Sequence, residues 1–83
     1  MNEPVRVLFF ASLREAVGRG GIEVIATDTD NLMTALAEQL SDTEMSALRE
    51  DNVRIAVNQQ LIESTVALNA GDEVAFLPPV TGG

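Results

Sequence analysis

Apolar and polar positions along this chain change period several times, and the changes divide it into elements. Residues Val5-Arg6-Val7-Leu8-Phe9-Phe10-Ala11 form an apolar run rich in β-branched and aromatic residues and predict a strand. Ser12 is placed to cap a short helix over Leu13-Arg14-Glu15-Ala16-Val17, with Glu15 as its capping-box partner. Gly18 stops that helix and Gly20-Gly21 supplies a turn. A second strand follows over Ile22–Thr27, so the first two strands read as a hairpin with a helical turn in its loop. The cluster Asp28-Thr29-Asp30-Asn31 is rich in helix N-cap residues. Beyond it Leu32, Ala35, Leu36, Gln39 and Leu40 recur at helical spacing, an apolar stripe broken only by Gln39, and predict the main helix over 31–40. A further helical turn over Thr43–Glu50 turns Met45 and Leu48 inward. Val53–Asn58 alternates as a strand, Gln59-Gln60 turns, Leu61-Ile62 forms a short strand, Asn69–Asp72 turns, and Glu73–Leu77 forms the last strand.

Two strands, one main helix and then more strands predict an α+β fold, with a sheet of four to five strands and the helix on one face. Side-chain parity divides the sheet into two faces. Val5, Val7, Phe9 and Ala11 share one face with Val53, Ile55, Val57, Val74 and Phe76, and these meet the Leu32/Leu36/Leu40 stripe. The opposite face carries Arg6, Leu8, Phe10, Arg54, Ala56, Ala75 and Leu77, and no second helix is available to cover it. Exposed apolar patches of this kind often mark partner sites, the alternative being that loops or the short helix cover Phe10 and Leu77.

Composition narrows the chemistry. The 83 residues suffice for one small domain. There is no cysteine and no histidine, which removes disulfides, thiolate metal sites and the commonest general base. Thirteen acidic residues against five arginines give a formal net charge of −8, which disfavours nucleic acid and favours a basic partner surface. The chain contains no lysine, so an activated carboxylate on it would find no lysine side chain of its own to acylate. No apolar run has the length of a membrane span, and Met1-Asn2-Glu3-Pro4 lacks the basic region of a signal peptide, so a soluble cytoplasmic protein is the expectation.

The last residues are the most pointed feature. Pro78-Pro79-Val80-Thr81 leads into Gly82-Gly83. A glycine pair lacks Cβ atoms, so a partner can close tightly around the backbone and reach the terminal carboxylate. The expectation is a domain over 1–77 and an extended tail over 78–83, its base stiffened by two prolines.

Residues Val7-Leu8-Phe9-Phe10-Ala11, Arg14-Glu15, Ala56-Val57-Asn58-Gln59 and above all Gly71–Gly83 resemble the small-subunit family of molybdopterin synthase. The likeness spans the chain in length and element order and is weakest over 28–52. That family consists of sulfur carriers related to the thiamine sulfur carrier and to ubiquitin. The resemblance implies the ubiquitin-like β-grasp fold. It also implies that Gly83 is adenylated by an E1-like enzyme using ATP and converted to a thiocarboxylate with sulfur from a persulfide donor protein. The carrier then delivers that sulfur to a cyclic pyranopterin precursor in the synthase large subunit. Two small and two large subunits assemble in the family. The catalytic side chains are expected on the large subunit, with no cofactor or metal bound by the small domain itself.

Under this reading Gly82 is the narrow neck that lets Gly83 reach another protein's active site. Pro78, Pro79, Val80 and Thr81 fit a partner channel, and Phe10, Leu61 and Leu77 dock the carrier, with Arg6 and Arg54 as polar contacts. Ordering four flexible residues in a channel costs about 4–8 kcal/mol of backbone entropy, which the two prolines reduce. The absence of cysteine agrees with a terminus, rather than a side chain, as the sulfur carrier. Three alternatives remain at this point: a carrier for thiamine or another pathway, a ubiquitin-like protein modifier, and a non-covalent β-grasp module with an inert tail.

Overall fold

The computed structural model describes residues 3–78. Alternation of Val5, Val7 and Phe9 produces β1 (Val5–Phe9), with all three side chains buried. The strand ends two residues earlier than its composition predicts. Phe10 donates its N–H to the Phe76 carbonyl (3.2 Å) while its own carbonyl accepts from the Leu13 and Arg14 amides. That carbonyl closes the first turn of α1 (Ala11–Val17), so the helix cap is the Phe10 backbone and no side chain caps it. The Ser12–Glu15 capping box expected from sequence therefore does not form. Ala11 lies within α1 at φ +50° and is exposed, rather than sharing the inner strand face. Gly18 ends α1 as expected, at φ +81°, donating to the Arg14 carbonyl.

Strand β2 (Gly21–Val24) takes in Gly21, which sequence assigned to the turn, and stops before Ile25. Thr27 is engaged in the next helix instead, donating its amide to Asn31 Oδ1 (3.0 Å). Asp28 caps α2 (Thr29–Gln39) by accepting from the Asn31 amide at 2.7 Å. The helix thus begins two residues before the predicted start. Its buried residues include Leu32 and Leu36, and Leu40 follows as a buried C-cap. The predicted helical turn after it is α3 (Asp42–Leu48), with Met45 and Leu48 buried as expected. Its capping box is Ser41 with Glu44: Ser41 Oγ accepts from the Glu44 amide (3.1 Å), and Glu44 Oε1 accepts from the Ser41 amide (2.9 Å).

Strands β3 (Arg54–Val57) and β4 (Gln60–Ile62) are joined by Asn58 and Gln59, at φ +50° and +70°. Two positive φ values suit a two-residue hairpin, so the turn sits one residue earlier than predicted. Strand β5 (Glu73–Leu77) has the predicted bounds.

The five strands form one mixed sheet in the order β2-β1-β5-β3-β4. Among the described residues only the central β1–β5 pairing is parallel; the others are antiparallel. Val5, Val7, Phe9, Val74 and Phe76 form one core with Leu32, Leu36, Met45 and Leu48 and with Leu13 and Val17 of α1. The Phe9 and Phe76 rings meet at its centre, 5.8 Å apart and tilted by 33°. All three helices contribute to this core: the main helix and the Met45/Leu48 turn as expected, and α1 in addition through Leu13 and Val17. Leu8, Ala56, Ala75 and Leu77 lie outside it, on the other face of the sheet.

Candidate functional site

Strand register lays out the outer face row by row. Gly21, Leu8, Ala75, Ala56 and Leu61 lie abreast across β2, β1, β5, β3 and β4. On one side of this row, Glu23, Arg6 and Glu73 lie abreast. On the other, Leu77 pairs with Arg54. Phe10 follows directly on the Phe9–Phe76 pair, which brings it beside Leu77.

These rows create a groove of ≈ 350 Å³ lined by Phe10, Ala56, Gln59, Leu61, Glu73, Ala75 and Leu77. All three docking residues expected from sequence, Phe10, Leu61 and Leu77, line it together. Phe10 is 43% and Leu61 65% exposed, large values for apolar side chains of this size. Arg54 stands elsewhere, in a separate groove with Thr29, Asp30, Glu63 and Thr65, and Arg6 is exposed one row away. Neither arginine lines the apolar groove.

A polar clamp fixes one end of this surface, and sequence reading did not single it out. Asn58 Oδ1 accepts from the Glu73 amide (3.0 Å), Asn58 donates its amide to the Glu73 carbonyl (2.8 Å), and Asn58 Nδ2 donates to Asp72 Oδ1 (3.1 Å). Asp72 Oδ2 accepts from the Asn69 amide at 2.8 Å. The Asn69 backbone donor, then the Asn58 side chain, hold the Asp72 carboxyl below its ordinary range. The clamp ties the β3–β4 turn, which carries Gln59, to the start of β5. Its sequence signal was a pair of Asx residues in two separate turns, which carries no indication that the turns meet.

Pro78 follows Leu77 at the groove wall and is half-buried. Pro79, Val80, Thr81, Gly82 and Gly83 lie outside the described residues, so the expected tail is structurally placed only at its base. Among the described residues, no group of three or more acidic, histidine or cysteine side chains is arranged to hold a metal ion. No described helix is long and apolar enough to cross a membrane.

The profile of the ThiS family matches residues 7–83. A molybdopterin synthase sulfur carrier subunit from Escherichia coli is 46% identical over 81 residues, covering 95% of this chain and 99% of the relative. This chain belongs to the ThiS family, among the molybdopterin synthase sulfur carrier subunits. A carrier subunit of the same description from Haemophilus influenzae is 39% identical, again over 95% of this chain and 99% of the relative. Among solved structures, small archaeal modifier protein 1 from Haloferax volcanii is similar at TM-score 0.78 and 27% identity, covering 96% of this chain and 99% of that one. A chain in the complex of subunits 1 and 2 of the molybdopterin-converting factor from Helicobacter pylori is similar at TM-score 0.69 and 27% identity, with the same coverage. The ThiS-family assignment agrees with the mixed sheet: the fold is the β-grasp expected from the resemblance.

Proposed function

We propose that this chain is the sulfur-carrying small subunit of a molybdopterin synthase, with Gly83 as the carrier residue. Full-length identity to such subunits carries the reading. The position of Leu77 and Pro78, where an exposed apolar groove meets the start of Pro78–Gly83, supports it.

An E1-like enzyme joins the Gly83 carboxylate to AMP from ATP. A free carboxylate resists nucleophilic attack, whereas an acyl-adenylate carries a good leaving group. The terminal sulfur of a persulfide donor protein then attacks the acyl-adenylate and expels AMP, forming an acyl disulfide; a thiol cleaves its S–S bond, ending in a disulfide with the donor sulfur and leaving on Gly83 a thiocarboxylate, which is nucleophilic in its ionised form. The groove docks the domain on the large subunit while Pro78–Gly83 enters that subunit's active site, where the thiocarboxylate gives its sulfur to the cyclic pyranopterin. No acid or base is required of this domain. Its part is to present the terminus, exclude alternative acceptors and dissociate for recharging.

Deleting Gly83 tests the assignment. The truncated chain is expected to melt like the full one and to accept no sulfur from the activating enzyme and donor. A truncated chain that still loads sulfur would place the carrier elsewhere; a truncated chain that unfolds would make the tail structural. A second reading, protein modification through the same terminus, is favoured by the structural likeness to small archaeal modifier protein 1. Isopeptide-linked adducts on lysines of other proteins, formed without sulfur transfer to pterin, distinguish it.

A further inference from the structure

The β3–β4 turn holds two non-glycine residues at positive φ, Asn58 at +50° and Gln59 at +70°. Two-residue hairpins of this kind favour Asn followed by Gly, because a residue without a Cβ takes the second position most easily. Asn58 fits that preference and is used: its side chain accepts from the Glu73 amide and donates to Asp72. Gln59 fits neither description. A long side chain stands where glycine is favoured, and among the described residues its amide makes no hydrogen bond. The clamp through Asn58, Asp72 and Asn69 imposes the turn from outside. Strained residues persist where their surroundings over-determine them in this way, and they gather at sites of function. Gln59 is exposed and stands with Glu73 at the polar end of the apolar groove. Leu77, at the base of the tail, is at the opposite end of β5 from Glu73, roughly 13 Å away at about 3.3 Å per residue.

We propose that Gln59 is a positioning residue for sulfur delivery: its side-chain amide hydrogen-bonds a peptide group of the synthase large subunit and fixes the angle at which the docked domain presents its tail. The proposal rests on the docking reading above and adds a directional contact to it. Apolar contact is non-directional and leaves a small domain free to rock on its partner. The tail holds the domain at one end only. A hydrogen bond at the far end removes that rotation, and a misplacement of about 1 Å at a reacting centre is enough to slow a reaction roughly 100-fold. The glutamine amide carries a donor and an acceptor, as a peptide group does, so the two are complementary. The clamp gives the contact a rigid base.

Gln59→Gly and Gln59→Asn test the contact. Glycine relieves the strain, so the melting temperature by far-UV circular dichroism is expected to rise by about 2–8 °C. Asparagine tolerates positive φ and keeps an amide, but draws it back by one methylene, and is expected to melt no lower than the parent. Both variants are expected to bind the purified large subunit about 5- to 50-fold more weakly by isothermal titration, because a polar group of the partner is left unpaired. Both are expected to load sulfur from the activating enzyme and donor at the parent rate. Leu77→Asp is the docking control. A Gln59→Gly chain that melts at or below the parent removes the strain argument and overturns the proposal. Parent-like binding by both Gln59 variants while Leu77→Asp binds weakly overturns the contact and leaves the docking face standing. Parent-like binding by all three overturns the docking reading as well. Binding lost in only one Gln59 variant traces to the turn and overturns the proposal. Slowed loading, with or without weaker large-subunit binding, assigns Gln59 to the activating enzyme or to the face in general and overturns its role in delivery.

Discussion

Gly21→Ala is the substitution whose effect the structure specifies most closely. Gly21 pairs with Leu8, and a Cβ built on it would stand 2.7 Å from the Val7 carbonyl oxygen and 3.1 Å from Leu8 Cδ2. Ordinary contact begins near 3.4 Å, and the nearer atom is backbone in a central strand that cannot swing aside. Strands β1 and β2 must therefore separate locally. Overpacking of this kind costs about 1–3 kcal/mol. Alanine returns about 0.5–1 kcal/mol, because it loses less backbone freedom on folding than glycine. The net expectation is a destabilisation of about 1–2 kcal/mol, which lowers the melting temperature of a domain this small by roughly 5–15 °C. The chain has no tryptophan or tyrosine, so urea unfolding is followed by far-UV circular dichroism. The midpoint is expected to fall with an unchanged m-value. Gly20→Ala is the control: its Cβ would meet only the Arg14 side chain, at 3.5 Å, so a change within about 0.5 kcal/mol is expected. A Gly21→Ala chain as stable as the parent would refute the claim that close approach at Gly21 sets the β1–β2 spacing.

Ser41→Ala removes the capping box of α3 and is expected to cost about 1 kcal/mol by urea unfolding; no loss would mean that Met45 and Leu48 hold α3 without its cap. The Asp72 carboxyl titrates lower in the folded chain than in the unfolded one, so its stabilising effect is full above its ordinary value of 3.8 and fades as pH falls through its lowered folded value. Below about pH 4, the parent is therefore expected to lose stability more steeply than Asp72→Asn, and parallel pH profiles would contradict the clamp.

Much of this architecture is legible in the chain because burial and local pattern agree. Val5, Val7 and Phe9 alternate, Leu32 and Leu36 repeat at helical spacing, and each set is buried where its period places it. Structure departs from pattern where backbone hydrogen bonding overrides composition. Ala11 looked like strand, but the Phe10 carbonyl had already closed a helical turn. Ser12 has the residue type of a cap, while the box that forms is Ser41-Asp42-Thr43-Glu44, which has the same spacing in the sequence. At the site, parity placed Phe10, Ala56, Ala75 and Leu77 on one face, yet only the strand order shows the two alanines side by side beneath Phe10 and Leu61. The Asn58–Asp72 clamp was invisible for the same reason, since it joins turns 14 residues apart.

The central claim is that Gly83 carries sulfur, and intact-mass spectrometry tests it most directly. The chain is incubated with ATP, a cognate activating enzyme, a persulfide donor and a thiol reductant, beside a carrier known to react. The account predicts a mass gain of about 16 Da, sulfur replacing oxygen in an acyl group, located by fragmentation to Gly83. No gain where the control carrier reacts, or a gain located anywhere else in the chain, would contradict it.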